Sequence, residues 1–270
     1  MSDLRERVAS GFVLGIVFAA AAWMGGFAFL AILCAASCVI WAEWSGIRMP
    51  GMDDRLLLSG AIATVGIAVI IWITSGALEM VGVSLIVGVF VITTFVLRQP
   101  RASSGFFYAI ALLVSAGMLR GSGDHWPGFV AICFLCAIVF ATDIGAYFIG
   151  RKVGGPKLAV TISPNKTLSG ALGGLISAVI GAVLVFVVFG LGPIWLAVAL
   201  AVLLSVVSQA GDLYESWLKR RAGVKDSGRI IPGHGGVMDR VDGLLFAAFG
   251  LWLLSVVLGT WNAPARTFFS

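Results

Sequence analysis

Residues 168–191 have the sequence LSGALGGLISAVIGAVLVFVVFGL, in which no side chain is charged. A helix needs about 20 consecutive apolar residues to cross the hydrocarbon core of a bilayer. The whole chain has this character, since 60% of its 270 residues are apolar, 11% are charged and the mean hydropathy is +1.05. A soluble domain of this length could not bury so much apolar surface. The sequence therefore predicts an all-α integral membrane protein and excludes a soluble globular enzyme, a disordered chain and a disulfide scaffold.

Nine apolar segments can be drawn along the chain. No strand is expected, because the runs show no alternation and an open sheet edge cannot lie in lipid. The segment 104–120 is short, and an interfacial helix is the alternative for it. We expect about nine transmembrane helices, at 8–23, 27–45, 56–74, 77–97, 104–120, 127–150, 168–191, 194–217 and 240–260.

The basic residues determine the predicted orientation, because the cytoplasmic loops of membrane proteins carry an excess of Lys and Arg. With nine spans and a cytoplasmic N-terminus, 16 of the 18 Lys and Arg residues lie on the cytoplasmic side, and only Arg120 and Arg266 lie opposite. Both long polar loops, 151–167 and 218–239, then face the cytoplasm. We therefore expect a multi-pass protein of the cell inner membrane with its active site at the cytoplasmic boundary.

Five acidic residues lie at the cytoplasmic ends of three predicted helices, where charge near a bilayer is costly. Asp212 and Glu215 are three residues apart, as are Asp239 and Asp242, so each pair shares a helix face. Such carboxylates would repel one another unless cations lay between them, and hard oxygen ligands favour Mg²⁺ over zinc. We expect Asp212, Asp239 and Asp242 to bind Mg²⁺, with Asp143 and Glu215 as further candidates and with room for a second divalent or a monovalent cation such as K⁺. The alternative is that these groups pair with neighbouring Arg and Lys.

The segment 216–242, SWLKRRAGVKDSGRIIPGHGGVMDRVD, combines basic residues, a glycine-rich turn and carboxylates at a helix start. The turn can present backbone N–H groups as an anion-binding nest that leads into a positive helix N-terminus. His234 could donate to a phosphate oxygen or cap the turn. The segment predicts a polyphosphate site in a solvated loop, with the nest formed by Gly233, Gly235 and Gly236 and with phosphate charge neutralised by Lys219, Arg220 and Lys225.

This segment resembles the signature of the CDP-diacylglycerol synthases, or phosphatidate cytidylyltransferases. That pattern is S-x-x-K-R, four residues, K-D, a Pro or Gly shortly before H-G-G, and D-R-x-D, and the segment matches it at every fixed position. The stretches 141–151, 163–167 and 208–212 also resemble segments of this family. Many relatives carry an acidic residue where Ser169 stands, so no metal or acid role is assigned there.

The resemblance implies an integral membrane enzyme that joins CTP and phosphatidic acid to give CDP-diacylglycerol and pyrophosphate for phospholipid biosynthesis. It divides the chain into N-terminal transmembrane helices, 1–100, and a catalytic region, 101–270. Expected partners are CTP, phosphatidic acid, membrane lipid and a second copy of the chain, with no nucleic acid. The catalytic groups implied are Asp212, His234, Asp239 and Asp242, and the substrate and phosphate ligands are Lys166, Ser216, Lys219, Arg220, Lys225, Gly235, Gly236 and Arg240.

Two other classes of function stay open. An ion-coupled transporter also carries intramembrane carboxylates, although these are expected at the bilayer midplane on broken helices. A membrane kinase acting on a polyprenol or another lipid would use ATP and leave a lipid phosphate. The physical features of the sequence do not separate ATP from CTP, and the resemblance alone favours CTP.

Overall fold

Helices make up most of the part of the chain that the structure describes. This computed structural model describes residues 2–74, 77–121, 125–228, 230, 235–259 and 263–269. Within these ranges the helices are α1 (Ser2–Met24), α2 (Gly26–Arg48), α3 (Asp54–Ile73), α4 (Ala77–Val96), α5 (Arg101–Arg120), α6 (His125–Val153), α7 (Leu168–Phe189), α8 (Ile194–Arg221), α9 (Met238–Val257) and α10 (Arg266–Phe269).

The nine long helices correspond to the nine predicted apolar segments, which confirms an all-α integral membrane protein. Eight of them, α2 to α9, are long and apolar enough to cross a bilayer, whereas the apolar part of α1 is the shorter stretch Phe12–Met24. The segment 104–120 belongs to α5, which is the most buried of the eight. This burial favours a transmembrane helix over the interfacial alternative.

The prediction that the chain contains no β-structure is wrong within the loop 151–167. Two short strands, β1 (Lys157–Ala159) and β2 (Ser163–Thr167), pair antiparallel there, with Lys157 opposite Thr167. The loop lies outside the apolar segments, so the cost of an open sheet edge in lipid does not apply to it. We call β1 and β2 the hairpin. Its last residue, Thr167, caps α7 by accepting a hydrogen bond from the Gly170 N–H at 3.1 Å.

Close packing of α6 on α7 holds the hairpin in place, because the hairpin connects these two helices. A Cβ atom at Gly170 would lie 2.8 Å from the Ala146 carbonyl oxygen, and one at Gly174 would lie 2.7 Å from that of Thr142. Glycine at these positions lets the two backbones approach closely, as small residues do in membranes.

The helix α8 lies between α7 and α9 and carries many of the candidate site residues. It continues to Arg221, beyond the predicted end at 217. Lys219, which we expected in a solvated loop, therefore lies in the last helical turn, and its side chain is only 13% exposed. On the far side of α9, α5 packs against both α9 and α2, which brings the N-terminal helices against the region predicted to be catalytic.

Candidate functional site

One group of candidate residues lies between the hairpin and α8, near the surface. The Lys166 ammonium forms an ion pair with Oδ2 of Asp212, and the two side chains are 29% and 34% exposed. The Ser216 hydroxyl approaches the other carboxylate oxygen, Oδ1, at 3.4 Å. We call Lys166, Asp212 and Ser216 the open cluster, because water reaches its ion pair.

The open cluster borders a cavity of about 940 Å³. Its walls come from α6, the hairpin, the start of α7 and α8. A cavity of this size can take a small organic ligand. The charged and amide side chains that line it are Asp143, Arg151, Lys157, Asn165, Lys166, Gln209 and Asp212. Three of these are basic and two are acidic, so the cavity offers positive charge to an anionic ligand and carboxylate oxygens to a cation.

A second group lies at the C-terminal end of α8 and is buried. The Lys219 ammonium lies 2.6 Å from Oε2 of Glu215 and 2.5 Å from Oδ1 of Asp239. The side chains of Glu215 and Asp239 are 1% and 9% exposed. The second oxygen of Asp239, Oδ2, accepts hydrogen bonds from the N–H and the hydroxyl of Ser227, both at 2.9 Å, and from the Gly236 N–H at 3.0 Å.

Glu43 of α2 completes this buried group, and the sequence analysis missed it. Its Oε1 accepts a hydrogen bond from the Val237 N–H at 2.9 Å, and its Oε2 accepts from the Met238 N–H at 2.8 Å and from the Ser227 hydroxyl at 3.1 Å. The residue is 6% exposed. The available signal was an acidic residue inside the apolar segment 27–45, where charge is expensive. We call Glu43, Glu215, Lys219, Ser227 and Asp239 the closed cluster.

The N–H groups at the start of α9 donate to carboxylates of the protein itself. We expected these N–H groups, with that of Gly236, to bind phosphate. Instead the Gly236 N–H donates to Asp239, and the N–H groups of Val237 and Met238 donate to Glu43. A carboxylate is an anion that suits a helix N-terminus as well as a phosphate does, and here the protein supplies it. These three N–H groups therefore already have partners within the protein, and their role in phosphate binding stays a prediction. Gly233 of the predicted nest lies outside the described residues.

Glycines leave the space that the Glu43 carboxylate fills. A Cβ atom at Gly228 would lie 2.5 Å from Oε1 of Glu43, and one at Gly236 would lie 2.6 Å from its Oε2. Gly235 has a φ of +84°, a backbone conformation that favours glycine. The glycine-rich turn therefore fits around a side chain from α2.

Three carboxylates from different helices interact electrostatically around the open cluster. Asp143 of α6, Asp212 of α8 and Asp242 of α9 lie close enough for their charges to repel, and Lys166 offsets part of that repulsion. Such oxygen donors are of the kind that Mg²⁺ prefers. Within the described part of the chain, no three acidic, His or Cys side chains are close enough to hold one ion as they stand. A cation would have to draw these oxygens together in the place where Lys166 now compensates them.

Tyr108 of α5 is a further residue that the sequence analysis missed. It is 8% exposed, and its ring packs near the rings of Tyr214 and Phe246. Its hydroxyl has no hydrogen-bond partner among the described residues, and it interacts electrostatically with Asp242 and Glu215. Nothing in the apolar segment around Tyr108 distinguishes it from a packing residue, so only the fold identifies it.

Three further predicted residues, Arg220, Lys225 and Arg240, have exposed side chains. The Nε of Arg220 donates to the carbonyl oxygen of Ile162 at 3.4 Å, which connects α8 to the turn of the hairpin. His234 lies outside the described residues, so its predicted role stays a prediction.

Comparison with known proteins gives the family context of this site. A family model described as the cytidylyltransferase family matches residues 5–258. A Brucella suis protein named phosphatidate cytidylyltransferase is 41% identical over 272 residues, which cover 100% of both chains. A Helicobacter pylori protein of the same name is 35% identical, with 97% of this chain and 95% of its own covered. One from Staphylococcus saprophyticus is 36% identical, with 77% and 82% covered.

Proposed function

The chain belongs to the cytidylyltransferase family, and we propose that it transfers the cytidylyl group of CTP to phosphatidic acid, forming CDP-diacylglycerol and releasing pyrophosphate. One observation supports this most directly. A basic cavity of about 940 Å³ opens beside three carboxylates at one end of a bundle of apolar helices. A nucleoside triphosphate can enter such a cavity from water while a lipid phosphate approaches from the membrane.

The reaction forms a bond between a phosphate oxygen of the lipid and the α-phosphorus of CTP. The bond from that phosphorus to the oxygen bridging to the β-phosphate breaks, and the electron pair leaves with pyrophosphate. The attacking group is already an anion at neutral pH, so little general-base help is needed. Positioning and electrostatic compensation therefore supply most of the rate. We assign this compensation to the basic residues of the cavity, Arg151, Lys157 and Lys166.

The carboxylates of Asp143, Asp212 and Asp242 are the residues that would hold Mg²⁺, with a second cation such as K⁺ beside it. Bound by these carboxylates, a divalent cation would supply positive charge that stabilises phosphate oxygens. Asp239 was also expected to bind metal. Both of its oxygens are engaged by Lys219, Ser227 and the Gly236 N–H, so we assign it to holding the loop between α8 and α9.

The protein is a multi-pass membrane protein, and we place it in the inner membrane with the open cluster facing the cytoplasm. The excess of basic residues on that side supports the orientation. CTP is supplied from the cytoplasm, which agrees with a cavity open to that side. A homodimer stays a prediction.

Labelled CTP tests the proposal against the two alternatives. With enzyme in lipid or detergent, label from the α-phosphate should enter the lipid fraction only when phosphatidic acid and a divalent cation are both present. Label from the γ-phosphate should appear in released pyrophosphate. A lipid kinase would place the γ-label in lipid, and a transporter would transform neither substrate. Either result in well-folded protein would refute the cytidylyltransferase assignment.

A further inference from the structure

We propose that Glu43 is a positioning residue for this reaction, which fixes the start of α9 and thereby the placement of Asp239 and Asp242 against α8. The inference rests on the proposed function. It concerns a residue of the second helix, far in sequence from the region predicted to be catalytic. Glu43 acts through the backbone and through Ser227, without touching substrate.

The N-terminus of α9 is capped by a side chain from another part of the chain. Its N-cap residue, Val237, provides no side-chain hydrogen bond to the helix. The N–H groups of Val237 and Met238 instead donate to Glu43, which precedes them by 194 and 195 residues. A helix stabilised only locally needs no more than a Ser, Thr, Asn or Asp at its N-cap. A cap from α2 also determines where α9 begins relative to α2.

A path of hydrogen bonds leads from Glu43 to the other end of the closed cluster. The Ser227 hydroxyl lies 3.1 Å from Oε2 of Glu43 and 2.9 Å from Oδ2 of Asp239, and its single proton is shared between these two acceptors, so it links the two carboxylates. The other oxygen of Asp239 contacts Lys219, which also contacts Glu215. A shift of Glu43 is therefore transmitted to α8 through one hydroxyl and one carboxylate.

The Glu43 carboxylate and the groups around it have little room to move. Glu43 is 6% exposed, and the three donors described above are all uncharged. Two glycines provide the space for its oxygens, and a Cβ atom at either would clash. A buried carboxylate is stable only while its hydrogen bonds are made. Ser227 and the start of α9 therefore hold one arrangement around Glu43, and this arrangement determines where Asp239 and Asp242 lie.

The variant Glu43→Gln tests this role with almost no change in shape. One carboxylate oxygen becomes an NH₂ group, which would face an N–H or O–H donor. We expect kcat of the folded enzyme to fall about tenfold or more, because small misplacements of catalytic groups cost rate. The KM for CTP should stay within about threefold, because Glu43 is not among the residues that line the cavity. Amide hydrogen exchange at residues 236–239 should become faster, which is a readout independent of activity.

Ser37→Ala is the matched control. Ser37 lies in the same helix and is fully buried, and its hydroxyl has no hydrogen-bond partner among the described residues. The variant should leave kcat, KM and the exchange at 236–239 unchanged. A similar loss of kcat in Ser37→Ala would show that α2 packing, and not the Glu43 carboxylate, governs the rate.

Ser227→Ala keeps the inference testable if Glu43→Gln folds poorly. It removes the shared hydroxyl and leaves both N–H donors to Glu43 in place. We expect a smaller loss of kcat, and the double variant should lose less than the product of the two single losses, because both act along one path. The proposal is overturned if the single variants keep their kcat and only yield less folded protein, or if only their KM rises. It is also overturned if the two substitutions lower kcat independently in the double variant. Absence of α-label in lipid with the unmodified protein would instead refute the proposed function, and the exchange measurement would still decide the role of Glu43.

Discussion

The open and closed clusters each combine a lysine, a serine and at least one carboxylate and each include residues of α8, yet they differ in exposure and in the number of partners. In the open cluster, one lysine meets one aspartate, and both side chains are about a third exposed. In the closed cluster, Lys219 meets two carboxylates, and the second oxygen of Asp239 accepts three further hydrogen bonds. Asp212 and Glu215, which belong to different clusters, are only three residues apart.

The difference separates ligand binding from structural support. A partly exposed ion pair contributes little to stability, so its partners can exchange for the charges of a ligand at small cost. A buried pair that loses one partner leaves an uncompensated charge, which is strongly destabilising. We therefore expect substitutions in the open cluster to alter catalysis with little effect on stability, and substitutions in the closed cluster to alter both.

The largest effect is expected from paired carboxylate variants. Asp212→Asn should lower kcat about a hundredfold or more, on the scale of removing a key electrostatic group. Asp239→Asn should lower kcat less, about tenfold, because it acts through the position of the loop and of the start of α9. Only Asp239→Asn should also lower the Tm, because it weakens the ion pair with Lys219 and the hydrogen bonds that hold the loop. Turnover per folded enzyme and thermal unfolding in detergent measure the two effects. An equal fall in Tm for both variants would remove the distinction between the clusters.

An intermediate effect is expected from the two lysines. Lys166→Ala should raise the KM for CTP about tenfold while changing the free energy of unfolding by less than about 1 kcal/mol. Lys219→Ala should reduce the yield of folded protein, because it leaves Glu215 and Asp239 buried without their shared cation. Kinetics and unfolding of the purified variants measure both. Normal stability of Lys219→Ala would show that its two ion pairs do not support the loop.

The smallest effect is expected from Lys225→Ala. Lys225 is exposed in the loop between α8 and α9, so its removal should leave the Tm unchanged. The KM for CTP should rise about twofold to threefold at low ionic strength, and this rise should disappear at high salt because exposed charges are screened. Lys152→Ala, which removes an exposed lysine that is not among those lining the cavity, is the control. A salt-independent rise would indicate a direct phosphate contact instead of a long-range one.

Most of the helices could be predicted because the length of an apolar segment can be determined from the local sequence alone. The segments 168–191 and 194–217 needed only hydropathy to be recognised, and they match α7 and α8 closely at their N-terminal ends. The C-terminal end of α8 was missed because its last turn is basic and polar, as is common where a helix ends. The hairpin was missed because strands of three and five residues depend on pairing with each other, which the sequence does not display.

The sequence predicted many of the residues that belong to the candidate site, but not which of their side chains contact one another. Composition and motif spacing identified Asp212, Asp239 and Lys219 and placed them at one end of the bundle. They could not show that Lys219 would be buried between two carboxylates, or that Lys166 would face Asp212 across 46 residues. Glu43 and Tyr108 lie in apolar helices and reach the site only through tertiary packing, so no local pattern ties them to it.

The cap of α9 also bears on the order of events during biosynthesis. Glu43 is synthesised 184 residues before Ser227, the first of its partners along the chain. At about 5–20 residues per second, the ribosome takes on the order of ten seconds or more to cover that distance. During this interval the Glu43 carboxylate lacks its three hydrogen-bond donors, since none of them has yet been made. The hydrogen bonds that join α2 to α9 can therefore form only after the start of the last long helix has been synthesised.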